Sequence, residues 1–299
     1  MGRPLVNSEA VFYGKFVNAA YAMFRRKPSD LKPEPLPGEI PDPYELVAWI
    51  NMTDFFLDDK VPMFYGFVAQ NKNASQEFIL AIRGTEGRIE WWDDAKAWPV
   101  LFHQVHAAGR VHQGFDKIYS SMRIERRPGA AEDLRLVAAE KPFTGSFAEQ
   151  LEQLHLHMER TSAKKPLIRA DKGRPDRTYV VTGHSLGSAL CTLFVMENKE
   201  KGKFDVTTLC TFASPRVGDA EFVRRFDELL ITSWRIVNTC DVVPKLPLWL
   251  PFFNYHHVNT AYKFSSSGTV KFNAACWHSM GTYLHWLDAS LPVDDECKP

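Results

Sequence analysis

The sequence predicts a three-layer α/β fold with a central, mostly parallel β-sheet. In the second half of the chain, short apolar runs that suit buried strands alternate with stretches of helical periodicity. The strand-like runs are residues 178–182, 208–213, 234–239 and 257–264. A chain of 299 residues with 45% hydrophobic content can bury a large core, and α/β folds of this length often form one unit. We therefore expect a single domain over residues 1–299.

The N-terminal part of the chain is predicted to begin with two helices. The first shows one apolar face, with residues recurring every four positions at Phe12, Phe16, Ala20 and Phe24. A proline-rich connector follows at residues 27–43, and we expect a second helix from Tyr44 to about Leu57. Two strands are then predicted at residues 62–70 and 77–83, joined by a polar turn. These strands indicate a hairpin that enters the sheet.

Two charged segments in the middle of the chain are predicted to be surface loops. They are residues 123–146 and 163–177, which are rich in charge, proline and glycine. Between them, residues 147–160 have the pattern of a helix. Further on, Asp219 precedes the helical run 220–230, where it suits an N-cap.

The charge balance and the cysteines exclude several classes of function. Because 36 basic residues balance 36 acidic ones, no overall field would attract nucleic acid or an anionic membrane. The five cysteines have neither a CxxC pair nor a metal-ligand spacing. They are Cys191, Cys210, Cys240, Cys276 and Cys297, and the first four lie in apolar surroundings that suggest buried free thiols. This pattern favours an intracellular protein, and residues 1–27 show no secretory signal. No apolar run is long enough for a transmembrane segment.

The run Gly183-His184-Ser185-Leu186-Gly187 has the pattern of a nucleophile elbow. It lies between a strand-like stretch and a helix-like stretch, where a sharp turn would hold the Ser185 hydroxyl exposed and close to a base. Glycines on either side of the serine allow the tight turn. The pattern therefore predicts serine-based nucleophilic catalysis.

An acid and a base are available downstream of Ser185, in the order serine, acid, histidine. Asp241 follows a predicted strand, at the sheet edge where α/β active sites assemble, and is preferred to Asp219 as the acid. His278, on a predicted loop before a short amphipathic run, is the preferred general base. His257 is the alternative base, and His184 and His285 are weaker candidates.

Several ordered motifs resemble the fungal-type, class 3 lipase family. Besides the elbow they are Ala81-Ile82-Arg83-Gly84-Thr85, Val111-His112-Gln113-Gly114-Phe115, TFASPRVG at residues 211–218, RIVNTCDVVPKLP at residues 235–247, and His278. The resemblance implies an α/β-hydrolase fold and ester hydrolysis through an acyl-enzyme intermediate, with no metal or organic cofactor. One departure from the family is Ser188, which replaces a second glycine after the elbow.

By this resemblance, Ser185 corresponds to the nucleophile, Asp241 to the acid and His278 to the base. Thr85 corresponds to the first oxyanion residue, and Leu186 to the residue whose amide completes the oxyanion hole. Asp94 corresponds to the acidic residue that holds the Thr85 hydroxyl in place. Since the base must be neutral, we expect activity to fall below about pH 6.5.

The substrate is expected to be a lipid or another ester, and two apolar segments are expected to select it. Residues 86–102 match the family's mobile lid and contain Trp91 and Trp92, although a helix packed on the core is the alternative. The run 246–255, with Trp249 and Phe252, suits an acyl pocket wall, a contact with a lipid surface or ordinary buried packing.

The family resemblance, together with the tryptophan-rich lid candidate, favours a triacylglycerol lipase with transient contact at a lipid–water interface. Because specificity depends on pocket shape, a carboxylesterase, a feruloyl-type esterase and a phospholipase remain alternatives. A lipase-like scaffold without catalysis is disfavoured by the retention of all five catalytic positions. The resemblance also leaves secretion open, and the oligomeric state is not predicted.

Overall fold

The computed structural model describes residues 3–53, 55, 61–86, 98–129, 132, 140–161, 177–247 and 254–299. In these ranges the strands are β1 (Tyr44–Thr53), β2 (Pro62–Asn71), β3 (Glu77–Ile82), β4 (Pro99–Leu101), β5 (Arg110–His112), β6 (Arg123–Arg126), β7 (Thr178–His184), β8 (Asp205–Phe212), β9 (Thr232–Asn238) and β10 (Ala261–Phe264). The α-helices are α1 (Asn7–Arg26), α2 (Gln113–Ser121), α3 (Phe147–Thr161), α4 (Leu186–Lys201), α5 (Ala220–Asp227), α6 (Ala274–His278) and α7 (Met280–Leu287).

The central sheet has eight strands in the order β10-β9-β8-β7-β3-β2-β1-β6. The neighbours from β3 to β10 are all parallel, whereas β2 and β3 form an antiparallel hairpin and β1 pairs antiparallel with both β2 and β6. Strands β4 and β5 form a separate two-stranded ribbon. The predicted sheet and its hairpin are therefore confirmed.

Alternate residues of each strand point to opposite sides of the sheet, so the sheet has two faces to bury. Helices pack against both of them. On one face, Val68 and Leu80 belong to the large core under α2, α3 and α4. On the other face, Phe67 and Ile79 pack with the apolar side of α1, which includes Phe16. Farther along that face, α1 and α7 cover β8 and β9. Among the described helices, none is long and apolar enough to cross a membrane.

At the antiparallel edge of the sheet, two of the predicted elements are wrong. The predicted helix from Tyr44 to Leu57 is strand β1 over Tyr44–Thr53. Its apolar residues are buried on both faces, so the sequence shows no period-two alternation that would have marked a strand. Residues 123–126 of the predicted loop form the outer strand β6, and charged residues are common on such an edge strand.

The cysteine prediction also needs a correction. Cys276 was expected to be a free thiol, but it forms a disulfide with Cys297, 21 residues away. Sequence spacing does not reveal which cysteines pair, because pairing requires that the fold bring them together. Cys191 and Cys210 are buried free thiols as predicted, whereas Cys240 is partly exposed.

Acidification is expected to lower the free energy of unfolding in part through His112. His112 is buried and immediately precedes α2. Its Nδ1 accepts a hydrogen bond of 3.0 Å from the Gly114 N–H. Burial lowers the pKa of His112 to about 4 from the ordinary value of 6.5. Between these values the unfolded chain binds a proton that the folded chain excludes, so stability is lost as the pH falls through this window.

Urea unfolding of wild type and His112→Asn at about pH 7.5 and about pH 5 tests this expectation. Asparagine can accept the same amide hydrogen bond and does not titrate. The variant should therefore lose less stability between the two pH values than wild type. An equal loss in both proteins would show that His112 does not contribute.

Candidate active site

Ser185 stands at a sharp turn between β7 and α4. Its backbone has φ 56° and ψ −125°, a strained conformation for a residue with a side chain. There is no space for side chains at the flanking glycines. A Cβ at Gly187 would lie 2.3 Å from the Ile82 carbonyl oxygen, and one at Gly183 would lie 2.7 Å from the Gly187 backbone. The elbow geometry predicted from the sequence is therefore present, but Ser185 is buried, at 3% exposure, rather than exposed as predicted.

Ser188, the departure from the family pattern, is accommodated by hydrogen bonds. Its buried hydroxyl lies 2.7 Å from the Gly183 carbonyl oxygen and 2.9 Å from that of Phe212. These carbonyls belong to the ends of β7 and β8, so the hydroxyl links the start of α4 to the sheet. A side chain at this position is thus compatible with close packing of helix and strand.

Ser185, His278 and Asp241 form a continuous chain of hydrogen bonds. The Ser185 Oγ lies 2.8 Å from His278 Nε2, and His278 Nδ1 lies 2.7 Å from Asp241 Oδ2. Because a carboxylate only accepts, His278 Nδ1–H donates to Asp241, which leaves Nε2 free to accept the Ser185 proton. His278 is the last residue of the short helix α6, rather than part of the predicted loop.

The Asp241 carboxylate is completely buried and accepts two further hydrogen bonds. The Tyr283 hydroxyl donates to Oδ2 at 2.8 Å, and the Val243 N–H donates to Oδ1 at 2.9 Å. Burial, together with the nearby Asp241 carboxylate, raises the pKa of Tyr283 well above its ordinary value. Tyr283 therefore remains a donor at neutral pH. Sequence reasoning missed this residue, because the amphipathic pattern of α7 indicates only a packed helix.

The alternative acid and bases have other partners. Asp219 accepts a hydrogen bond from the Phe222 N–H at 2.9 Å and caps α5, as predicted. His257 Nε2 lies 2.7 Å from the Pro244 carbonyl oxygen, and burial lowers its pKa to about 3. His285 Nδ1 lies 2.6 Å from the Leu291 carbonyl oxygen.

Of the two candidate oxyanion residues, Leu186 belongs to the elbow and Thr85 to the segment after β3. Leu186 is the first residue of α4, where backbone N–H groups lack acceptors within the helix. Thr85 follows β3, and its hydroxyl lies 3.5 Å from that of Tyr65. The preceding residue, Gly84, packs so closely that an added Cβ would lie 2.7 Å from the Ser185 Cβ. Leu186 therefore adjoins the serine in the chain, and the residue before Thr85 packs against it.

Five other predicted site residues lie outside the described residues: Asp94, Trp91, Trp92, Trp249 and Phe252. Of the predicted lid, the structure describes Glu86 and residues 98–102, and the latter contain strand β4. The Trp98 and Leu101 side chains in this part are 63% and 51% exposed. Within the described ranges, no three histidine, cysteine or acidic side chains are grouped to hold a metal ion.

Comparisons with known proteins agree with the motifs. The family model described as "Lipase (class 3)" matches residues 79–250, more than half of the chain. Phospholipase A1-Igamma2 of Arabidopsis thaliana is 27% identical over 82% of this chain and 50% of its own length. Galactolipase DONGLE of the same plant is 25% identical over 94% of this chain and 65% of its own. The chain thus spans half to two thirds of these curated relatives.

Solved structures of fungal lipases share the fold. Lip2 lipase of Yarrowia lipolytica superposes with a TM-score of 0.56 at 21% identity, over 88% of this chain and 80% of that one. A lipase of Rhizopus microsporus superposes with a TM-score of 0.54 at 18% identity, over 86% of this chain and 74% of that one. The mostly parallel sheet and these neighbours identify an α/β-hydrolase-type fold. With the match to the family model, this protein belongs to the class 3 lipase family.

Proposed function

We propose that the protein is a serine hydrolase that cleaves carboxylic esters of acylglycerol lipids. The observation that carries this proposal is the hydrogen-bonded chain from Ser185 through His278 to Asp241, with Ser185 at a strained elbow. A serine hydroxyl is a weak nucleophile until a neighbouring base can take its proton. This arrangement supplies the base, and the buried carboxylate keeps the base in the required tautomer.

In the proposed acylation step, Ser185 Oγ attacks the ester carbonyl carbon while its proton passes to His278 Nε2. The carbonyl oxygen becomes an oxyanion, which accepts hydrogen bonds from the Thr85 and Leu186 amides. Each such donor typically contributes about 3 kcal/mol of transition-state stabilisation. The intermediate collapses as His278 returns the proton to the leaving alkoxide, which departs as an alcohol and leaves the acyl group on Ser185.

In deacylation, a water molecule enters the site after the alcohol has left and acts as the nucleophile. His278 removes a proton from the water as its oxygen attacks the acyl carbon, and then transfers that proton to Ser185 Oγ as the fatty acid leaves. The positive charge that His278 carries in each step is stabilised by the Asp241 carboxylate, which is held by Tyr283 and the Val243 N–H. No step requires a metal or an organic cofactor.

Two classes of acylglycerol are candidates for the substrate. The resemblance to fungal-type lipases makes triacylglycerol the first candidate, whereas the curated relatives are named phospholipases A1 and a galactolipase. Those names make glycerolipids with a polar headgroup the second candidate. For either class we propose transient contact with a lipid–water interface. This contact is supported by the exposed apolar side chains of Trp98, Leu101 and Val242, the last of which follows Asp241 in the chain.

The proposal is tested by labelling with a serine-reactive fluorophosphonate, followed by fatty-acid release from three substrates. These are a triacylglycerol emulsion, phosphatidylcholine vesicles and dispersed galactosyldiacylglycerol. We expect labelling and lipid hydrolysis in wild type but not in Ser185→Ala, with hydrolysis unaffected by a chelator. A wild-type protein that is not labelled would contradict the proposed function. Preference for one lipid would select between the two substrate candidates, and activity on soluble short esters alone would favour an esterase.

A further inference from the structure

Tyr21 of α1 connects two parts of the candidate site with a single hydroxyl group. The Gly84 N–H donates to the Tyr21 Oη at 2.8 Å, and this oxygen lies 2.7 Å from His184 Nδ1. Gly84 immediately precedes Thr85, and His184 immediately precedes Ser185. The hydroxyl therefore lies between the loop that carries a proposed oxyanion donor and the strand that carries the proposed nucleophile.

The direction of each hydrogen bond in this group follows from its partners. Because the Gly84 N–H can only donate, the Tyr21 oxygen accepts this hydrogen bond. The ring nitrogen His184 Nε2 lies 2.8 Å from the His278 carbonyl oxygen, which can only accept. Burial lowers the pKa of His184 well below its ordinary value, so the ring is neutral with its proton on Nε2, and the Tyr21 hydroxyl donates to Nδ1.

The same chain of bonds reaches the proposed base. His278 is held through its backbone carbonyl by His184 and through its ring by Ser185 and Asp241. The His184 and His278 rings are 4.6 Å apart. A positive charge on His184 would oppose the charge that His278 must carry during catalysis. A proton donor at His184 Nδ1 keeps this neighbour neutral.

The surroundings leave little freedom for these groups. Tyr21 and His184 are 6% and 3% exposed, so water does not readily replace their hydrogen bonds. A Cβ at Gly84 would lie 2.7 Å from the Tyr21 hydroxyl and 2.7 Å from the Ser185 Cβ. Burial also raises the pKa of Tyr21, which keeps its hydroxyl protonated.

We propose that Tyr21 is a positioning residue that acts through His184 and the Gly84 amide to align the oxyanion loop with His278. This inference rests on the proposed serine-hydrolase function. It assigns a part in catalysis to α1, which lies outside the residues matched by the family model. Tyr21 does not touch the reacting atoms in this role. It sets the distance between groups that do.

The first test compares Tyr21→Phe with Tyr13→Phe in hydrolysis of p-nitrophenyl butyrate. Tyr13 is also on α1, and its hydroxyl contacts Glu9 at 3.3 Å, so it is a matched control for the loss of one hydroxyl. A small misalignment of catalytic groups can lower the rate by up to about a hundred-fold. We expect Tyr21→Phe to lower kcat by about ten- to a hundred-fold with KM changed less than about two-fold, and Tyr13→Phe to change neither.

A second pair of variants decides the question even if Tyr21→Phe folds poorly. His184→Gln retains an acceptor for Tyr21 and a donor for the His278 carbonyl, whereas His184→Leu has neither. We expect the glutamine variant to retain a kcat at least about five-fold above that of the leucine variant. Equal kcat values in this pair would overturn the proposal, as would a Tyr21→Phe kcat equal to that of Tyr13→Phe.

The outcomes also separate this inference from the proposed function. If wild type neither reacts with the fluorophosphonate nor hydrolyses esters, the proposed function fails and this inference fails with it. If wild type is active and Tyr21→Phe is equally active, only the role of Tyr21 is refuted. A loss confined to KM would likewise refute it, because alignment of the reacting groups should act on kcat.

Discussion

Ser185→Ala is expected to lower kcat for ester hydrolysis by about 10⁶-fold. Alanine removes the oxygen that would form the acyl-enzyme, while the backbone amides of the proposed oxyanion hole remain. The residual rate should therefore stay above that of the uncatalysed reaction. Release of fatty acid in a pH-stat, measured at high protein concentration, gives the size of the loss.

The control for this prediction is Ser121→Ala. Ser121 is at the end of α2, where its hydroxyl bonds to the Ile118 carbonyl at 2.7 Å and is not part of the site. This variant should keep the wild-type rate and the wild-type labelling by fluorophosphonate. A Ser185→Ala protein that still labels would mean that another serine is the nucleophile.

Asp241→Asn is expected to lower kcat by about 10⁴-fold with little change in the fold. Asp241 Oδ2 accepts from both His278 Nδ1 and the Tyr283 hydroxyl. An asparagine amide can present N–H to His278 Nδ1, which favours the tautomer with the proton on Nε2. In that tautomer His278 cannot accept the proton of Ser185. The rate of hydrolysis and the melting temperature should be measured together, so that loss of folding is recognised.

Asp219→Asn is the matched control, because Asp219 was the competing candidate for the acid. Its carboxylate caps α5, and asparagine is an equally good N-cap, so both stability and activity should be retained. If Asp219→Asn abolished activity and Asp241→Asn did not, the assignment of the acid would be reversed.

Local sequence patterns are sufficient to predict most strands in the parallel half of the sheet. Strands β7, β8 and β9 were predicted because each is a short apolar run bounded by turns or helical segments. The elbow was equally readable, since a serine between two glycines at a strand-to-helix junction is typical of an exposed nucleophile. The order of Ser185, Asp241 and His278 along the chain then selected the proposed acid and base, and the structure joins these three side chains by hydrogen bonds.

The antiparallel edge was harder to predict, for a physical reason. Residues 44–53 are apolar enough to suit a buried helix or a buried strand, and their hydrogen-bond partners decide between the two. Those partners are β2 and the charged strand β6, the second of which lies far away in the chain. Local propensity therefore could not show that residues 44–53 form a strand, because pairing with β2 and β6 stabilises that strand.

The sequence by itself determined the family motifs, the elbow and the identity of the candidate nucleophile, acid and base, because each depends on residue type and local spacing. Only the tertiary structure decided that Cys276 pairs with Cys297, that Tyr283 holds Asp241, and that Tyr21 bridges Gly84 and His184. The two hydrogen-bonded links cross 42 residues or more of chain. Such contacts arise only when packing brings distant elements together, so no local pattern encodes them.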